Sequence, residues 1–497
     1  MKRFLILFLI IISLVLYSQD APASDDNAAP GSDEVTNAPS EPGSESDEKT
    51  VGSIIIGGVN IDGKNYQQIG MRLDIPIGKL GIGADIQLLI DEEGKIREDD
   101  WDEFEDYLDK IFYLRWAHKG DPFYVKVGGL DYTYLGYNIL VDGYSNMIEY
   151  PTYKRIGMEL AFEGDKFGGE LLINNYKELF SDEPGLLLGM RGYYKVWGDL
   201  SFGATFASDF NEYNGLRDND EDGYPNEIDR YPEEEKYATE YDYFLDQSGS
   251  TAFADSAVVY GIIDGLKRED LENFNNKTKQ SVAWGFDIGY PLYKGSFANI
   301  DVYGQWAQIK DYGNGFSAPA FRITAGPFVF RAEYRHTDGE FLFGYFNQAY
   351  ELERAVYRGT TYVTKQETLE GVPSLDGYFV GMHFDGWGIF RLNVNYQDLI
   401  GEDDVSCKSL SGELAIDENL FKKLAAAKAY YMQSNIEDIQ WKTPSTVFGY
   451  VLGYNVSEGT AVLFDYRYTF KDKDGDGDVN SDDEMIKSIS VTTKIVF

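Results

Sequence analysis

Two stretches of the chain gather carboxylates at a spacing that suits a hard cation. In the first, Asp218, Asp220 and Asp222 take positions one, three and five of a run that continues with Gly223 at six, Tyr224 at seven, Asn226 at nine and Asp229 at twelve. Calcium needs several oxygens around one point, and a glycine at six lets the backbone turn so that they converge. The second run carries Asp472, Asp474, Asp476, Asp478, Asn480 and Asp483. An acidic, solvated loop tip is the plainer alternative for either run.

Over those residues the first run resembles the calcium repeats of the thrombospondin type 3 family, and the second resembles the calcium loop of dockerin modules and EF-hands. The second resemblance implies side-chain ligands at Asp472, Asp474, Asp476, Asn480 and Asp483, with Asp478 offering its backbone carbonyl. No dockerin helices flank it. The implied role of Ca2+ is structural: it would neutralise and order loops that otherwise repel themselves.

A third set of charges sits on alternating positions. Arg322, Arg331, Glu333, Arg335, Arg391, Asp465 and Arg467 lie in segments of period two, so each projects from the polar face of a strand. Phe390, Leu392, Val394 and Tyr396, for example, oppose Arg391, Asn393, Asn395 and Gln397. Similar alternation runs through residues 69–77, 82–88, 156–162, 284–290 and 448–454, and Phe112, Leu114 and Trp116 oppose Arg115. In the final segment Ile489, Val491, Thr493, Ile495 and Phe497 oppose Ser488, Ser490, Thr492 and Lys494. The alternation fades between residues 130–154 and 339–377.

The links between these segments are of two kinds. Nine are short, from Gly78-Lys79 through Gly198-Asp199, Gly326-Pro327 and Asp385-Gly386 to Ser457-Glu458-Gly459. The longer ones, near residues 91–110, 135–153, 211–279, 341–375 and 471–485, are mostly acidic. Short turns on one rim and long loops on the other predict an all-β fold, a transmembrane antiparallel up-and-down β-barrel of about 20 strands (range 18–20). Short helices are expected on the loops, around Trp101, Phe104 and Tyr107 and around residues 255–264. A terminal strand ending on an aromatic residue resembles the closing strand of Gram-negative outer-membrane barrels of the porin type. That resemblance implies a location in the bacterial outer membrane and a C-terminal strand read by the assembly machinery.

Composition agrees with one large barrel. Aromatic residues make up 15 % of the chain, with 52 Gly and 15 Pro, and no composition shift divides residues 51–497. Ahead of them, residues 1–18 read as a secretory signal peptide, with Lys2 and Arg3 before an apolar run. Residues 19–50 read as a disordered acidic periplasmic tail, too poor in bulky apolar side chains to fold. The single Cys407 can form no internal disulfide.

Acidic and basic residues nearly balance on the lumen face, so the formal net charge of −40 must come from the loops and tail. Charge on the opposite, lipid face would cost about 2–4 kcal/mol per midplane Arg or Lys. Nucleic acid is excluded as a partner, because an acidic exterior repels phosphates. Catalysis is not expected either: His118, His336 and His383 are scattered, and only His383, near Asp385, shares the lumen parity. The sequence thus points to a porin-like channel for passive diffusion of small hydrophilic solutes. Its basic ladder, facing acidic loops, would set a field across the pore. The alternative is a surface-exposed adhesion or recognition protein anchored by a closed barrel. Membrane lipid is a partner in both, and self-association as a homo-oligomer is compatible with either.

Overall fold

The computed structural model describes residues 50–496, apart from 62–63, 98–100, 102–109, 151–152, 177, 179–184, 217, 219–221, 227, 232–233, 264, 272–276, 359–360, 387, 403–404, 418–419, 471, 473–478 and 480–483. The expected signal peptide and most of the expected tail lie outside the described residues, as do Phe497 and most of the helical piece expected after Trp101.

A single 20-stranded sheet closes on itself. Each strand pairs antiparallel with its neighbours in chain order, and the first, Val51–Ile61, pairs with the last, Met485–Val496, so that Val51 faces Val496 and Val59 faces Ser488. Closure leaves the sheet no unpaired edge, the condition for strands to cross a bilayer, where bare N–H and C=O groups find no water.

The two faces of this sheet invert the pattern of a soluble protein. Ile69, Met71, Phe202, Phe286, Ile288 and Tyr290 are exposed, whereas Asp85, Lys126, Glu159, Lys195 and Asp287 are buried. The outer face is therefore the lipid face, and the charged residues pair with one another inside. Arg72 donates to its register partner Asp85 at 2.6 Å, and Arg191 donates to Asp287 at 2.8 Å. This is the architecture of a bacterial outer-membrane barrel.

The short turns fall on one rim. Gly78 and Gly326 have φ of 60° and 55°, and an added Cβ would meet nothing within 4 Å at either. Glycine is there for its backbone freedom, not for space. The turn expected at Asp385-Gly386 lies just beyond them, because both residues still pair within the strand Leu375–Gly386.

One parity assignment is corrected. Gly83 faces Tyr113 and Ala84 faces Ile111, which makes Phe112 the extra residue of a β-bulge. The bulge turns Phe112 and Tyr113 both inward: the Arg72 guanidinium sits 3.9 Å from the Phe112 ring centroid, and the Tyr113 hydroxyl donates to Asp74.

On the other rim the loop of residues 210–280 carries the helices Glu240–Ser248 and Thr251–Val259. Thr239 caps the first by accepting from the Asp242 N–H, and Gly249 ends it at a φ of 61°. The helix expected over 255–264 thus starts and stops earlier.

Two other long loops, expected outside the cell, fold into the barrel. Leu130, Leu140 and Tyr144 from the first, with Phe341, Phe346 and Tyr350 from the second, form an apolar core. They pack on inward-facing strand residues such as Leu172, Leu187, Ala207 and Ile309. A short parallel pairing of Val141–Asp142 with Phe346–Asn347 ties the loops together. Each fully buried large apolar side chain contributes roughly 1.5–3 kcal/mol, enough to hold this plug as a packed body.

The lipid-face assignment has a direct consequence. Phe286 is 58 % exposed in the middle of the strand Ser281–Lys294. Phe286→Arg should destabilise the protein by about 2–4 kcal/mol in phospholipid vesicles, read from equilibrium denaturant titration. An unchanged midpoint would place that face away from lipid.

Candidate functional site in the lumen

The plug is anchored by Arg354, which enters the barrel on the second loop and is 2 % exposed. Its guanidinium donates to both carboxylate oxygens of Asp209, Nη2 at 2.8 Å, to Glu351 at 3.4 Å and to the Asn211 carbonyl at 3.1 Å. Glu351 also accepts from the Tyr144 hydroxyl and from Asn174 at 3.0 Å, and pairs with Arg155 at 3.2 Å. Burial alone would push the Glu351 carboxyl up, but the Arg155 and Arg354 guanidiniums more than offset it and hold it below the usual range. The network thus joins both plug loops to two barrel strands.

Glu212 is a second anchor, on the short helix Glu212–Gly215 just beyond the strand Leu200–Asp209. It accepts from the Tyr345 hydroxyl and from the Gln366 N–H at 3.1 Å. Burial, followed by the neighbouring Asp209 carboxylate, pushes its carboxyl up to about 7.

Of the residues expected to line a pore, the structure brings three together. Arg331 Nη2 donates to Glu333 Oε1 at 2.6 Å, and Arg335 Nε donates to Glu333 Oε2 at 2.9 Å. Arg331, Glu333 and Arg335 are 5, 3 and 3 % exposed. Arg331 also reaches the carbonyl of Tyr137 on the plug, and the Arg335 guanidinium lies 4.2 Å from the Phe379 ring centroid. The two arginines share one carboxylate at contact distance, so they do not form a free basic row.

Arg322 adjoins this cluster as the register partner of Arg331 on the neighbouring strand, and the other three stand apart from it. Arg322 is opposite Asp301, its guanidinium 5.9 Å from the Tyr137 ring centroid. Arg391 is opposite Asp385 on the lumen parity of His383. Asp465 and Arg467 lie farther round the barrel on the strand Thr460–Phe470, where Arg467 donates to the Tyr150 carbonyl.

A cavity of about 150 Å3 lies between the plug and the wall formed by the strands Phe390–Gly401, Ser406–Ile416 and Leu424–Ile436. Arg331 and Arg335 reach one side of it, and Tyr132 and Tyr134 border it from the plug. Its wall is mostly uncharged and polar, with Asn393, Asn395, Gln397, Ser409 and Ser411 facing inward. Asn395 Nδ2 donates to Ser411 Oγ across the strands at 3.1 Å.

The expected calcium residues are only partly described. Asp218 accepts from the Gly223 N–H at 2.7 Å, Asp222 from the Tyr224 N–H at 2.9 Å and Asp229 from the Tyr231 N–H at 2.7 Å, contacts that fold the run into successive side-chain turns. Arg268 pairs with Asp222, so a bound cation would share or displace that guanidinium. Tyr224 lays its hydroxyl on the Arg268 carbonyl at 3.2 Å, and Asn226 is half-buried beside it. Among the described residues no group of three or more His, Cys, Asp or Glu forms a metal site. Asp220, Asp474, Asp476, Asp478, Asn480 and Asp483 lie outside the described residues; Asp472 is described and half-buried.

Sequence reasoning placed Asn393, Asn395 and Gln397 on the inner face but assigned them no role. It missed Arg354, Glu351, Asp209 and Glu212 altogether. Their signal was the second loop's content: Phe341, Phe343, Tyr345, Phe346 and Tyr350 within ten residues are too apolar for a solvated loop.

No protein-family model and no curated protein sequence matches this chain. Among solved structures it is similar to Wzi, an outer-membrane protein of group 1 capsule assembly in Escherichia coli described as a carbohydrate-binding β-barrel, with 10 % identity over 90 % of this chain and 84 % of that one and a TM-score of 0.33. It is similar to the siderophore receptor PirA of Acinetobacter baumannii, at 9 % identity over 90 % of this chain and 80 % of that one, with a TM-score of 0.35. It is also similar to the outer-membrane protein OprD of Pseudomonas aeruginosa, at 10 % identity, 90 % and 94 % coverage and a TM-score of 0.32. At these identities and TM-scores none of them lends this chain a ligand or an activity.

Proposed function

We propose that this protein is a porin-like outer-membrane channel through which small hydrophilic solutes diffuse passively, narrowed by the two loops folded into its lumen. One observation carries the reading: beside an apolar plug that fills part of the barrel, the opposite wall borders a cavity of about 150 Å3 lined by amide and hydroxyl side chains together with tyrosine rings. A barrel serving only as an anchor has no need of such a face. Barrels of this strand number are wide enough to leave a water path unless something fills them, and here the filling is partial. Solutes follow the amide-lined wall, and the plug sets the bore.

A second reading has its own observation. Phe253, Val259, Tyr260 and Ile262, on and after the helices of the long loop, are 56, 81, 80 and 64 % exposed. An apolar cap of this kind on an external loop suits surface recognition with the barrel as anchor. Calcium belongs to either reading as an ordering ion for the acidic loops.

Three outcomes test these statements. Purified protein in planar bilayers should carry small, discrete currents, and Arg354→Ala should enlarge them, since removing one partner of a buried ion pair costs about 3–5 kcal/mol and frees the plug. Silence from correctly folded wild type and variant alike would leave only the anchor reading.

The plug should also respond to pH. Glu212 ordinarily titrates near 4.5 and here near 7, so between those values the packed form holds a proton that the released form lacks. Its contribution is full below about 4.5 and is lost as pH rises through about 7. Protease nicking of residues 338–374 should therefore increase from pH 5 to pH 8, and Glu212→Gln should flatten the profile.

For calcium, chelation should lower the thermal midpoint and open residues 210–280 to protease. Identical melting and digestion with and without chelator would remove the ion from the model of these loops.

A further inference from the structure

The wall of the luminal cavity has a chemistry of its own. Its charges balance within the chain: Arg331 and Arg335 converge on Glu333, the Asp142 carboxylate borders the cavity within reach of the field of the same two guanidiniums, and Lys428 pairs with Glu413 at 2.9 Å. What remains toward the cavity is amide, hydroxyl and phenol. An ion entering there meets no unmatched countercharge, and an apolar solute would strand the amides without partners.

The sheet departs from regularity at this wall. Lys408 pairs with Ile436 but Leu410 pairs with Gln433, so Ser434 and Asn435 together oppose Ser409 in a β-bulge. Asn435 takes a left-handed φ of 55°, which Asn tolerates better than most residues, and its N–H donates to Ser409 Oγ at 3.0 Å. Bulges of this kind re-aim side chains. Among the described residues that line the cavity, two buried amide atoms are left without a partner in the chain: Asn435 Nδ2, a donor, and Gln433 Oε1, an acceptor. Gln433 itself is 1 % exposed, its Nε2 fixed by the Gln440 carbonyl and Thr446 Oγ1 at 2.6 and 2.8 Å.

We infer that this cavity is a binding site for an uncharged polyhydroxylated solute, a mono- or disaccharide. Each sugar hydroxyl both donates and accepts, as an orphan donor beside an orphan acceptor requires. The tyrosines that border the cavity, Tyr132, Tyr134 and Tyr430, offer ring surface to the C–H faces of a pyranose. The room available holds roughly ten waters, in keeping with a ligand of one or two rings. The inference rests on the channel reading, because the solute reaches the cavity through the lumen.

Saturation-transfer NMR on the folded protein in detergent, with maltose as probe and glucuronate as its charged counterpart, tests the site directly. Saturable transfer to maltose is expected, with weaker binding of glucuronate. Asn435→Asp, which keeps the shape and removes the donor, should weaken maltose by about five- to tenfold. Ser411→Ala, a milder change outside the bulge, should give a smaller loss and guards against misfolding of the first variant. No transfer to maltose, equal or tighter glucuronate binding, or full affinity in both variants would each overturn the inference. Bilayer currents separate it from the channel reading: current that maltose never blocks counts against the sugar site alone, whereas maltose binding without any current retains the site and removes the channel.

Discussion

Arg354 carries a full positive charge to a place that water does not reach, and five oxygens of the chain meet it there: two from Asp209, one from Glu351 and the carbonyls of Gly185 and Asn211. Left alone, a buried guanidinium would be strongly destabilising; matched in this way it is tolerable only in one geometry. That geometry requires the loop of residues 338–374 to lie inside the barrel, and the loop brings Phe341, Phe346 and Tyr350 with it. The pair therefore specifies where the plug goes, while the apolar core supplies the stabilisation that keeps it there. Tyr144 and Arg155 attach the other plug loop to the same carboxylate, Glu351, so the two loops are positioned as one body.

The chain consequently buries apolar surface in two separate places. Its outer face meets lipid, where no hydrophobic gain accrues between protein and solvent once the barrel is inserted, and its plug forms a conventional core inside. Between them runs the inner wall, which must stay polar on one side of the barrel and apolar on the other. Ala207, Ala283 and Ala307 stand on three neighbouring strands against the plug, whereas Asn395, Ser411 and their neighbours stand on the side that the plug leaves open. The asymmetry of the wall follows from the position of the plug.

Much of the barrel was legible in the sequence because strand parity and turn chemistry are local. Nine short links and two terminal strands are enough to count to 20, and alternation identified the lipid face wherever the pairing was regular. Phe112 defeated that reading because one inserted residue reverses parity, and nothing in the residue types marks the insertion. The plug was invisible for a different reason: a segment packed inside a lumen has no face of constant polarity, so periodicity fades where the structure is most tightly packed. The residues Arg331, Glu333 and Arg335 show a third limit. Parity placed all three on the inner face, and their spacing of two along one strand already brings each arginine beside the glutamate; only their burial, a consequence of the plug, decides that they pair with one another and not with a solute.

That pairing also bears on the kind of selectivity that the proposed channel would exercise. A row of free arginines facing acidic loops would act at a distance, through a field that salt screens over about 10 Å at 0.1 M. Charges matched at contact leave mainly short-range forces in the cavity: hydrogen bonds from amides and hydroxyls, and contact with aromatic rings. The acidic exterior, part of a formal net charge of −40, still disfavours anions at the mouth, where field effects persist. In the proposed channel, discrimination would thus be divided by position, with charge sorted at the loops and shape and hydrogen bonding read at the cavity wall.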